Sequence, residues 1–302
     1  MRATDAAERA CPTCGKRHGR LFAKERINPD LVGSFTYASR KTPEFMRHRL
    51  VRCLYCDTVY APSPPPERVL SRAYASADYD SWEEAECAAA DYARVIAPLL
   101  KGLPALGGAV EIGAGNGAFL PHLRRAGFQA VLGVEPSRKA IEAASAQARP
   151  LLREGVFTPE TLAENRPALI CSFMTLEHLP DPRGFVQAAH DALVPGGLLA
   201  LVTHDWKAAL NRLLGLRSPI IDIEHLQLFT ARALQRLLRD RGFEDIQTAA
   251  FSNRYPLRYW LRLSPLPAGV RRALTGPLGR LGLLTLPLSL PVGNVMATGR
   301  KK

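Results

Sequence analysis

Residues 109–120 of this 302-residue chain read AVEIGAGNGAFL, an apolar run that leads into three glycines at alternate positions. Glycine permits a tight turn and lets the backbone approach a ligand closely, and a helix that starts after such a turn directs its N-terminus at the ligand. The stretch therefore predicts a strand, a glycine-rich turn and a helix. The residues that we assign to a predicted cofactor-binding turn are Glu111, Gly113, Ala114, Gly115 and Gly117.

An acidic residue closes the next apolar run, VLGVE. Glu135 lies 24 residues after Glu111, and a carboxylate near this spacing can accept hydrogen bonds from both hydroxyls of a ribose. The pattern predicts a nucleoside-cofactor site. Because Gly113, Gly115 and Ala118 also satisfy the fingerprint G-x-G-x-x-G/A, these residues alone leave a dinucleotide as the alternative.

Strand-like and helix-like segments alternate from residue 109 onward. This alternation predicts a mainly parallel sheet with helices on both faces, and hence a doubly wound, seven-stranded, Rossmann-like α/β fold. Helices are expected in AFLPHLRRAG, SRKAIEAASAQAR, PRGFVQAAHDAL and TARALQRLLRDRGF. The predicted strands lie at 109–112, 131–135, 151–157, 168–174, 198–204 and 244–251 and in the final GNVMATGRK.

Four of the six cysteines occur as two C-x-x-C pairs near the N-terminus. Each pair can present two thiolates to one tetrahedral ion, which predicts a small zinc-ribbon-like module with a structural Zn²⁺. A redox pair and unbound thiols are the alternatives. The predicted ligands are Cys11, Cys14, Cys53 and Cys56.

Other cysteines and histidines near the module are not assigned to the metal. His18 and His48 are expected at the surface because four cysteines already complete a tetrahedral shell. Cys87 and Cys171 are isolated in the sequence and are expected to be buried or incidental.

A proline-rich break, APSPPP, predicts the first domain boundary. We divide the chain into a zinc-binding module at 1–60, a linker and lid helix at 61–104, and a catalytic domain at 105–302. The catalytic domain is expected to carry inserts at 205–229 and 253–292. Within the linker, Tyr74 and Tyr79 either pack with a helix of residues 82–100 on the sheet or form part of a lid over the cofactor.

Charge is unevenly distributed within a net charge of +12. Residues 251–302 carry nine basic side chains and no acidic one, and such a bias indicates an anionic surface or substrate. The segment 253–292 is expected either to cap the fold, to contact a membrane surface peripherally or a lipid-linked substrate, or to bind RNA.

No apolar run is long enough for a membrane span and no secretory core is present, so a cytoplasmic location is expected.

The order of motifs between residues 105 and 252 resembles that of class I S-adenosylmethionine-dependent methyltransferases. EIGAGNG resembles their first motif, Glu135 their ribose-binding acid, ICSFMTLEHLPDP their fourth-strand motif and LVPGGLLALVTH the turn before their fifth strand. The resemblance implies S-adenosylmethionine as cofactor, with its methionine part at the glycine loop and its adenine near residues 154–157. Phe173 and Met174 would line the cleft.

Three histidines are candidates for a general base, which methyl transfer needs only when the acceptor must lose a proton. We rank His225 first because it precedes a helix in the insert after the fifth strand, then His178, with His204 as a further candidate. A structural histidine is the alternative at each position.

The LEH segment also resembles that of ubiquinone-pathway O-methyltransferases, but Met174 stands where a further acid would be needed, so we predict no second metal.

These observations predict a methyltransferase that acts on a small-molecule, saccharide or lipid-linked acceptor, with oxygen favoured over carbon. The alternatives are an RNA methyltransferase whose zinc module recognises RNA, and a non-catalytic binding protein that retains the cofactor fold. Nucleic acid is the less favoured partner because basic and aromatic residues do not alternate in the module.

Overall fold

A computed structural model describes residues 8–39, 42–163 and 166–302. No helix in these ranges is both long and apolar enough to cross a membrane. The described strands are β1 (Gly19–Ala23), β2 (Leu50–Cys53), β3 (Val59–Tyr60), β4 (Gly108–Ile112), β5 (Ala130–Glu135), β6 (Leu152–Glu154), β7 (Leu169–Phe173), β8 (Leu198–His204), β9 (Gln227–Leu228), β10 (Glu244–Phe251), β11 (Arg254–Pro256), β12 (Pro287–Ser289) and β13 (Asn294–Arg300).

The α-helices begin after short loops, several of which carry a side-chain cap. Ser137, Asp181 and Thr230 each accept a backbone N–H from the first turn of the following helix, which satisfies an otherwise unpaired donor. The described helices are α1 (Glu67–Ala75), α2 (Trp82–Leu100), α3 (Leu120–Arg125), α4 (Arg138–Glu142), α5 (Pro159–Ala163), α6 (Pro182–Ala192), α7 (Ala209–Leu214), α8 (Ala231–Arg239), α9 (Leu257–Leu263) and α10 (Ala268–Arg280).

The main sheet has seven strands in the order β10-β13-β8-β7-β4-β5-β6. The five strands from β8 to β6 are parallel, whereas β13 pairs antiparallel with both β8 and β10. The order reverses between β4 and β7, because the chain proceeds outward to β5 and β6 and then returns to β7. The predicted doubly wound, Rossmann-like, mainly parallel sheet is confirmed.

Apolar layers cover both faces of this sheet, as the continuous burial of β4 and β7 requires. On one face α2, α3 and α9 pack around aromatic residues that include Tyr92 and Phe119. On the other face α6 and α8 pack through residues that include Phe185 and Leu237.

Two predicted elements are shorter in the structure. The strand expected at 151–157 spans only Leu152–Glu154, because Gly155 leaves the extended region with φ +149°. The helix expected in SRKAIEAASAQAR ends at Glu142 and is followed by turns. Both differences lie at the β6 edge of the sheet, where strand residues are exposed.

The N-terminal module shares a sheet with the insert at 205–229. Its strands have the order β1-β2-β3-β9, and β9 belongs to the insert. Val59 pairs with Leu228 and Tyr60 with Gln227, both antiparallel. The module is therefore joined to the larger domain by backbone hydrogen bonds.

The expectation that His48 lies at the surface is wrong, whereas His18 is exposed as expected. His48 is 9% exposed, and its burial lowers the pKa of the imidazole. It lies beside the strand β2, whose residues pack against the insert in one apolar cluster with Ile220 and Ile221. The packing between the module and the insert buries it, and the module's own sequence does not show that packing.

The segment 253–292 contains two different structures. Helix α9 places Tyr259 and Trp260 in the core on the α2 side of the sheet. The antiparallel pair of β11 and β12, whose strands are separated in the chain by α9 and α10, lies beside it, whereas α10 buries none of its residues. The first part therefore acts as a cap, and α10 stands outside the core.

Gly113 follows β4 at the point where the strand order reverses, and it lies against Thr175, which follows β7. Its φ is +77°, and a Cβ there would overlap the Thr175 side chain. We expect Gly113→Ala to lower the free energy of unfolding by at least about 2 kcal/mol through backbone strain and steric overlap. Denaturant unfolding measures the change.

Gly107→Ala is the matched control for Gly113→Ala, since a Cβ at Gly107 would meet nothing within 4 Å. Its effect should stay within about 1 kcal/mol. Equal stability of the two variants would contradict the close packing of Gly113 on Thr175.

Candidate active site and metal centre

The four predicted zinc ligands lie together in the module. Their sulfur atoms all lie within 4.8 Å of one another, with Cys11 Sγ 3.5 Å from Cys56 Sγ and Cys14 Sγ 3.5 Å from Cys53 Sγ. Gly15 closes the first turn with φ +71° and donates its N–H to the Cys11 carbonyl. Four thiolates at such separations fit one tetrahedral Zn²⁺ and could bind it.

The glycine turn lies directly after β4 at the reversal of strand order. Gly113 and Ala114 both donate their N–H groups to the Val134 carbonyl, which ties the turn to β5. Gly113, Gly115 and Gly117 have φ values of +77°, +56° and +71°. All three are left-handed conformations that favour glycine.

The three glycines have different surroundings. A Cβ on Gly113 would strike Thr175, and one on Gly117 would come within 3.1–3.2 Å of Leu120, Leu152 and Ala148. A Cβ on Gly115 would meet nothing within 4 Å. Gly113 and Gly115 line the central cavity, whereas Gly117 serves packing behind the turn and does not line it.

Glu135 lies at the end of β5 and connects two turns. Its Oε2 accepts the Gly115 N–H and its Oε1 accepts the Ser137 N–H, each at 2.8 Å. The side chain is largely buried at the cavity wall. The backbone therefore orients this carboxylate beside the glycine turn.

A cavity of about 540 Å³ opens at the carboxyl ends of β4, β5 and β7. Ligands of open α/β sheets bind at this edge, at the point where the strand order reverses. Glu111, Ala114, Phe173 and Met174 all line the cavity, as do residues 155–157 of the segment predicted to lie near adenine. Its volume is in the range of small-molecule and cofactor sites.

Met174 marks the strained end of β7. It is not glycine, yet its φ is +52°, and such conformations cluster at functional sites. Its N–H reaches the Val202 carbonyl on β8 at 2.7 Å. The turn directs residues 174–178 across the mouth of the sheet.

The three candidate histidines meet on one side of the cavity. The ring of His225 lies 4.9 Å from that of His178 and 5.1 Å from that of His204, between ring centres. All three line the cavity. The fold therefore brings together residues that are 47 positions apart in the chain, from 178 to 225.

Hydrogen bonds define the tautomer of His225. Its Nδ1 lies 2.9 Å from the Ile220 carbonyl, which can only accept, so Nδ1 carries the proton. Its Nε2 lies 3.8 Å from Glu224 Oε1. A neutral His225 therefore presents Nε2 as a proton acceptor beside a carboxylate.

His178 and His204 have different partners. His178 Nδ1 lies 3.1 Å from both the Tyr74 hydroxyl and the Glu224 carbonyl. His204 Nδ1 lies 3.0 Å from Asn294 Oδ1, and burial lowers the pKa of His204 to about 4, so this ring is neutral at physiological pH.

Three tyrosines of the linker line the cavity. Tyr92 on α2 does so while it packs on the sheet and stacks on Phe173, with ring centres 4.1 Å apart. Tyr74 on α1 also lines the cavity, and burial holds the pKa of its hydroxyl well above the ordinary value. Tyr79 also lines the cavity, whereas Trp82 is exposed.

Sequence reasoning missed several lining residues that come from distant segments. No sequence motif marks these residues, and only their position around one cavity indicates a role. These are Tyr37, Ser39 and Pro43 of the module, Asn253 after β10, Asn294 at the start of β13, and Tyr255, Tyr259 and Trp260 of the cap.

The described lining of the cavity differs in charged residues from the chain as a whole. Among the described residues, its lining contains no lysine and no arginine. The lining acids are Glu67, Asp78, Glu111, Glu135, Asp181, Asp222 and Glu224.

Comparison with known proteins identifies the family of this chain. A family model described as a methyltransferase domain matches residues 81–248. The chain belongs to this family of methyltransferases, and its cofactor is S-adenosylmethionine.

Two curated relatives match about half of the chain. Ubiquinone biosynthesis O-methyltransferase of Leptothrix cholodnii is 28% identical over 169 residues, covering 50% of this chain and 71% of the relative. tRNA U34 carboxymethyltransferase of Ectopseudomonas mendocina is 27% identical over 169 residues, and the match spans 52% of each protein. A solved SAM-dependent methyltransferase of Thermotoga maritima is 21% identical, with a TM-score of 0.45 and coverage of 74% of this chain and 95% of the other.

The metal centre can be tested by removing one ligand from each C-x-x-C pair. We expect Cys14→Ser with Cys53→Ser to abolish zinc binding and to unfold the module, because two remaining thiolates cannot complete the tetrahedral shell. Elemental analysis of the purified protein measures the metal. Cys87→Ser, outside the cluster, should leave one zinc per chain, and a wild-type protein without zinc would contradict the assignment.

Glu177 lies behind the histidines and makes stability depend on pH. Glu177 is fully buried, and its Oε1 accepts the backbone N–H of His204 at 2.8 Å. Burial raises the pKa of the Glu177 carboxyl from the ordinary 4.5 to about 7. Between these pH values the folded state keeps a proton that the unfolded state has released, so ionisation of this group destabilises the fold as pH rises.

Glu177→Gln removes this titration and keeps the acceptor oxygen. Relative to wild type, we expect the free energy of unfolding of the variant to rise by about 3 kcal/mol between pH 4.5 and pH 8. The lowered pKa of His204 gives stability the opposite pH dependence. That contribution is present in both proteins, so it cancels in the difference. Denaturant unfolding across pH measures the difference, and Glu154→Gln, at an exposed residue, should show no such trend.

Proposed function

We propose that this enzyme transfers a methyl group to a hydroxyl of an uncharged small-molecule, saccharide or lipid-linked acceptor, with His225 as the general base. The observation that carries the proposal is the lining of the cavity: aromatic walls, histidines and carboxylates, with no lysine or arginine among the described lining residues. A phosphate-bearing acceptor needs cationic partners at its site. An uncharged acceptor needs no such cationic partners.

The cofactor half of the cavity lies beside the glycine turn and Glu135. The Glu135 carboxylate can accept the ribose hydroxyls, and the open space at Gly115 leaves room for close approach of the ligand. Phe173 and Met174 bound the cleft between this half and the histidines. When bound, S-adenosylmethionine supplies an activated methyl group on its sulfonium.

The acceptor half lies between the histidines and the cap. Tyr255, Tyr259 and Trp260 provide an aromatic wall there, which holds an acceptor in place and excludes water. His225 Nε2 can take the proton of the acceptor hydroxyl, and Glu224 Oε1 at 3.8 Å would stabilise the resulting imidazolium. The name of the ubiquinone relative, an O-methyltransferase, agrees with oxygen as the acceptor atom.

RNA remains the second candidate because one relative is named for a tRNA reaction and both ends of the chain are basic. The lining of the cavity opposes it, since a flipped nucleotide would bring its phosphates to the acidic mouth of the site. The family match also leaves no support for the non-catalytic alternative.

Membrane contact by the segment 253–292 stays a prediction. Helix α10 and the turn after it expose apolar residues beside arginines, among them Val270, Leu274 and Leu281.

The acceptor class can be identified with cofactor that carries a labelled methyl group. Cell extract is divided into organic-soluble lipids, glycans, polar small molecules and RNA, and each fraction is incubated with the enzyme. We expect alkali-stable, nuclease-resistant label in one of the first three fractions, with a rate that varies little with salt. Label confined to RNA, with a rate that falls steeply with salt, would overturn the proposal.

The ribose contact can be tested by binding alone. Glu135→Ala should weaken S-adenosylmethionine binding by about 1–3 kcal/mol through loss of hydrogen bonds to the carboxylate. Isothermal titration calorimetry measures the affinity. Glu244→Ala, at an exposed glutamate of the edge strand β10 that does not line the cavity, should bind as wild type does. Equal affinity of all three proteins would exclude Glu135 from the cofactor site.

The base can be tested once an acceptor is known. His225→Asn should lower turnover by about 10²–10⁴-fold, the range of general-base catalysis, and leave cofactor affinity unchanged. His18→Asn, at an exposed histidine of the module, is the control. Full turnover by His225→Asn would exclude His225 as the base.

A further inference from the structure

The side chain of Arg9 makes hydrogen bonds to three separate segments of the chain. Its Nε donates to the Ala61 carbonyl at 2.8 Å, and its Nη1 donates to the Pro180 carbonyl at 2.9 Å. Its Nη2 donates to the Leu226 carbonyl and to Gln227 Oε1, each at 3.0 Å. The guanidinium also lies 5.8 Å from the centre of the Tyr60 ring.

Two of these segments carry the candidate bases. Pro180 lies two residues after His178, and Leu226 directly follows His225. The planar guanidinium therefore connects the loop of one histidine to the loop of the other through a rigid fork of donors.

Gln227 strengthens the same connection from the opposite side. Its Nε2 donates to the carbonyls of Leu176, Glu177 and Leu179, at 2.8, 3.1 and 2.9 Å. The amide nitrogen of Gln227 thus binds three carbonyls of the loop that carries His178, and its amide oxygen accepts the hydrogen bond from Arg9. The two side chains together hold the loops that carry His178 and His225.

The metal centre holds Arg9 in turn. Arg9 precedes the ligand Cys11 by two residues, and its N–H donates to the Pro62 carbonyl at 2.8 Å. On the other side, the Ala61 N–H donates to the Leu226 carbonyl at 2.8 Å, next to the β3–β9 ladder. The cysteine cluster, Arg9 and the histidine loops therefore form one continuous set of contacts.

We propose that Arg9 is a positioning residue for methyl transfer, and that the zinc module serves to hold His178 and His225 at their separation across the acceptor site. Arg9 itself does not line the cavity. The proposal rests on the proposed role of His225 as base. It assigns the module a function within the enzyme itself.

Arg9→Gln tests this because it removes the fork and the charge but keeps a polar side chain. Arg20→Gln, at an exposed arginine of the same module, is the matched control. The readouts are zinc content, affinity for S-adenosylhomocysteine, ¹⁵N-histidine ring spectra, amide hydrogen exchange, and the single-turnover rate with the acceptor found in the labelling experiment. His225→Asn assigns the His225 signals.

We expect Arg9→Gln to retain one zinc per chain and to bind S-adenosylhomocysteine within twofold of wild type. The ring of His225 should lose its single Nδ1–H tautomer, and exchange at the amides of Ala61 and Leu226 should rise at least tenfold. The single-turnover rate should fall at least twentyfold. Arg9→Lys keeps the charge without the fork and should give intermediate values.

Unchanged ring spectra and exchange in Arg9→Gln would overturn the proposal, as would a loss of cofactor affinity parallel to the loss of rate. Failure of both Arg9→Gln and Arg9→Lys to fold would assign Arg9 to folding instead and would also overturn it. If the wild-type enzyme methylates no acceptor, the proposed function fails, but the spectra and the exchange still decide the role of Arg9.

Discussion

The parallel pairing of β4 with β5 and β7 is the constraint on which the site depends. Parallel strands end at one edge, so the turns after them meet there whatever their separation in the chain. This pairing places the glycine turn, the Glu135 carboxylate and Met174, which follow or end neighbouring strands, at the same edge. The reversal of strand order between β4 and β7 then leaves a gap between two of these turns, and the cavity lies in it.

The chain as a whole is basic, whereas the described lining of its cavity contains carboxylates and neither lysine nor arginine. The charge of +12 belongs to the whole sequence, whereas an acceptor meets only the side chains that line its pocket. Many of the arginines lie elsewhere: Arg258 and Arg262 pair with acids of α2, and Arg9 connects loops behind the site. The titratable side chains of the described cavity wall are histidines, carboxylates and tyrosines.

The small module and the large domain share structure to a degree that their separate sequence signals conceal. A zinc-stabilised sheet of three short strands has little core of its own, and the fourth strand and much of its apolar partner surface come from the insert. This arrangement buries His48 and places Tyr37 in the wall of the cavity. It also connects the cysteine cluster, through Arg9, to the loops of the candidate bases.

The sequence by itself determined the α/β class, the parallel strands, the glycine turn and the four clustered cysteines, because each depends on local spacing and periodicity. It also placed Glu135, Phe173 and the three histidines among the candidates, through motifs carried by short segments. Only the tertiary structure decided that the histidines meet, that Gly117 lies outside the cavity and that the cap and the module complete its walls. Those features depend on contacts between residues far apart in the chain, and the local patterns of a single sequence do not record such contacts.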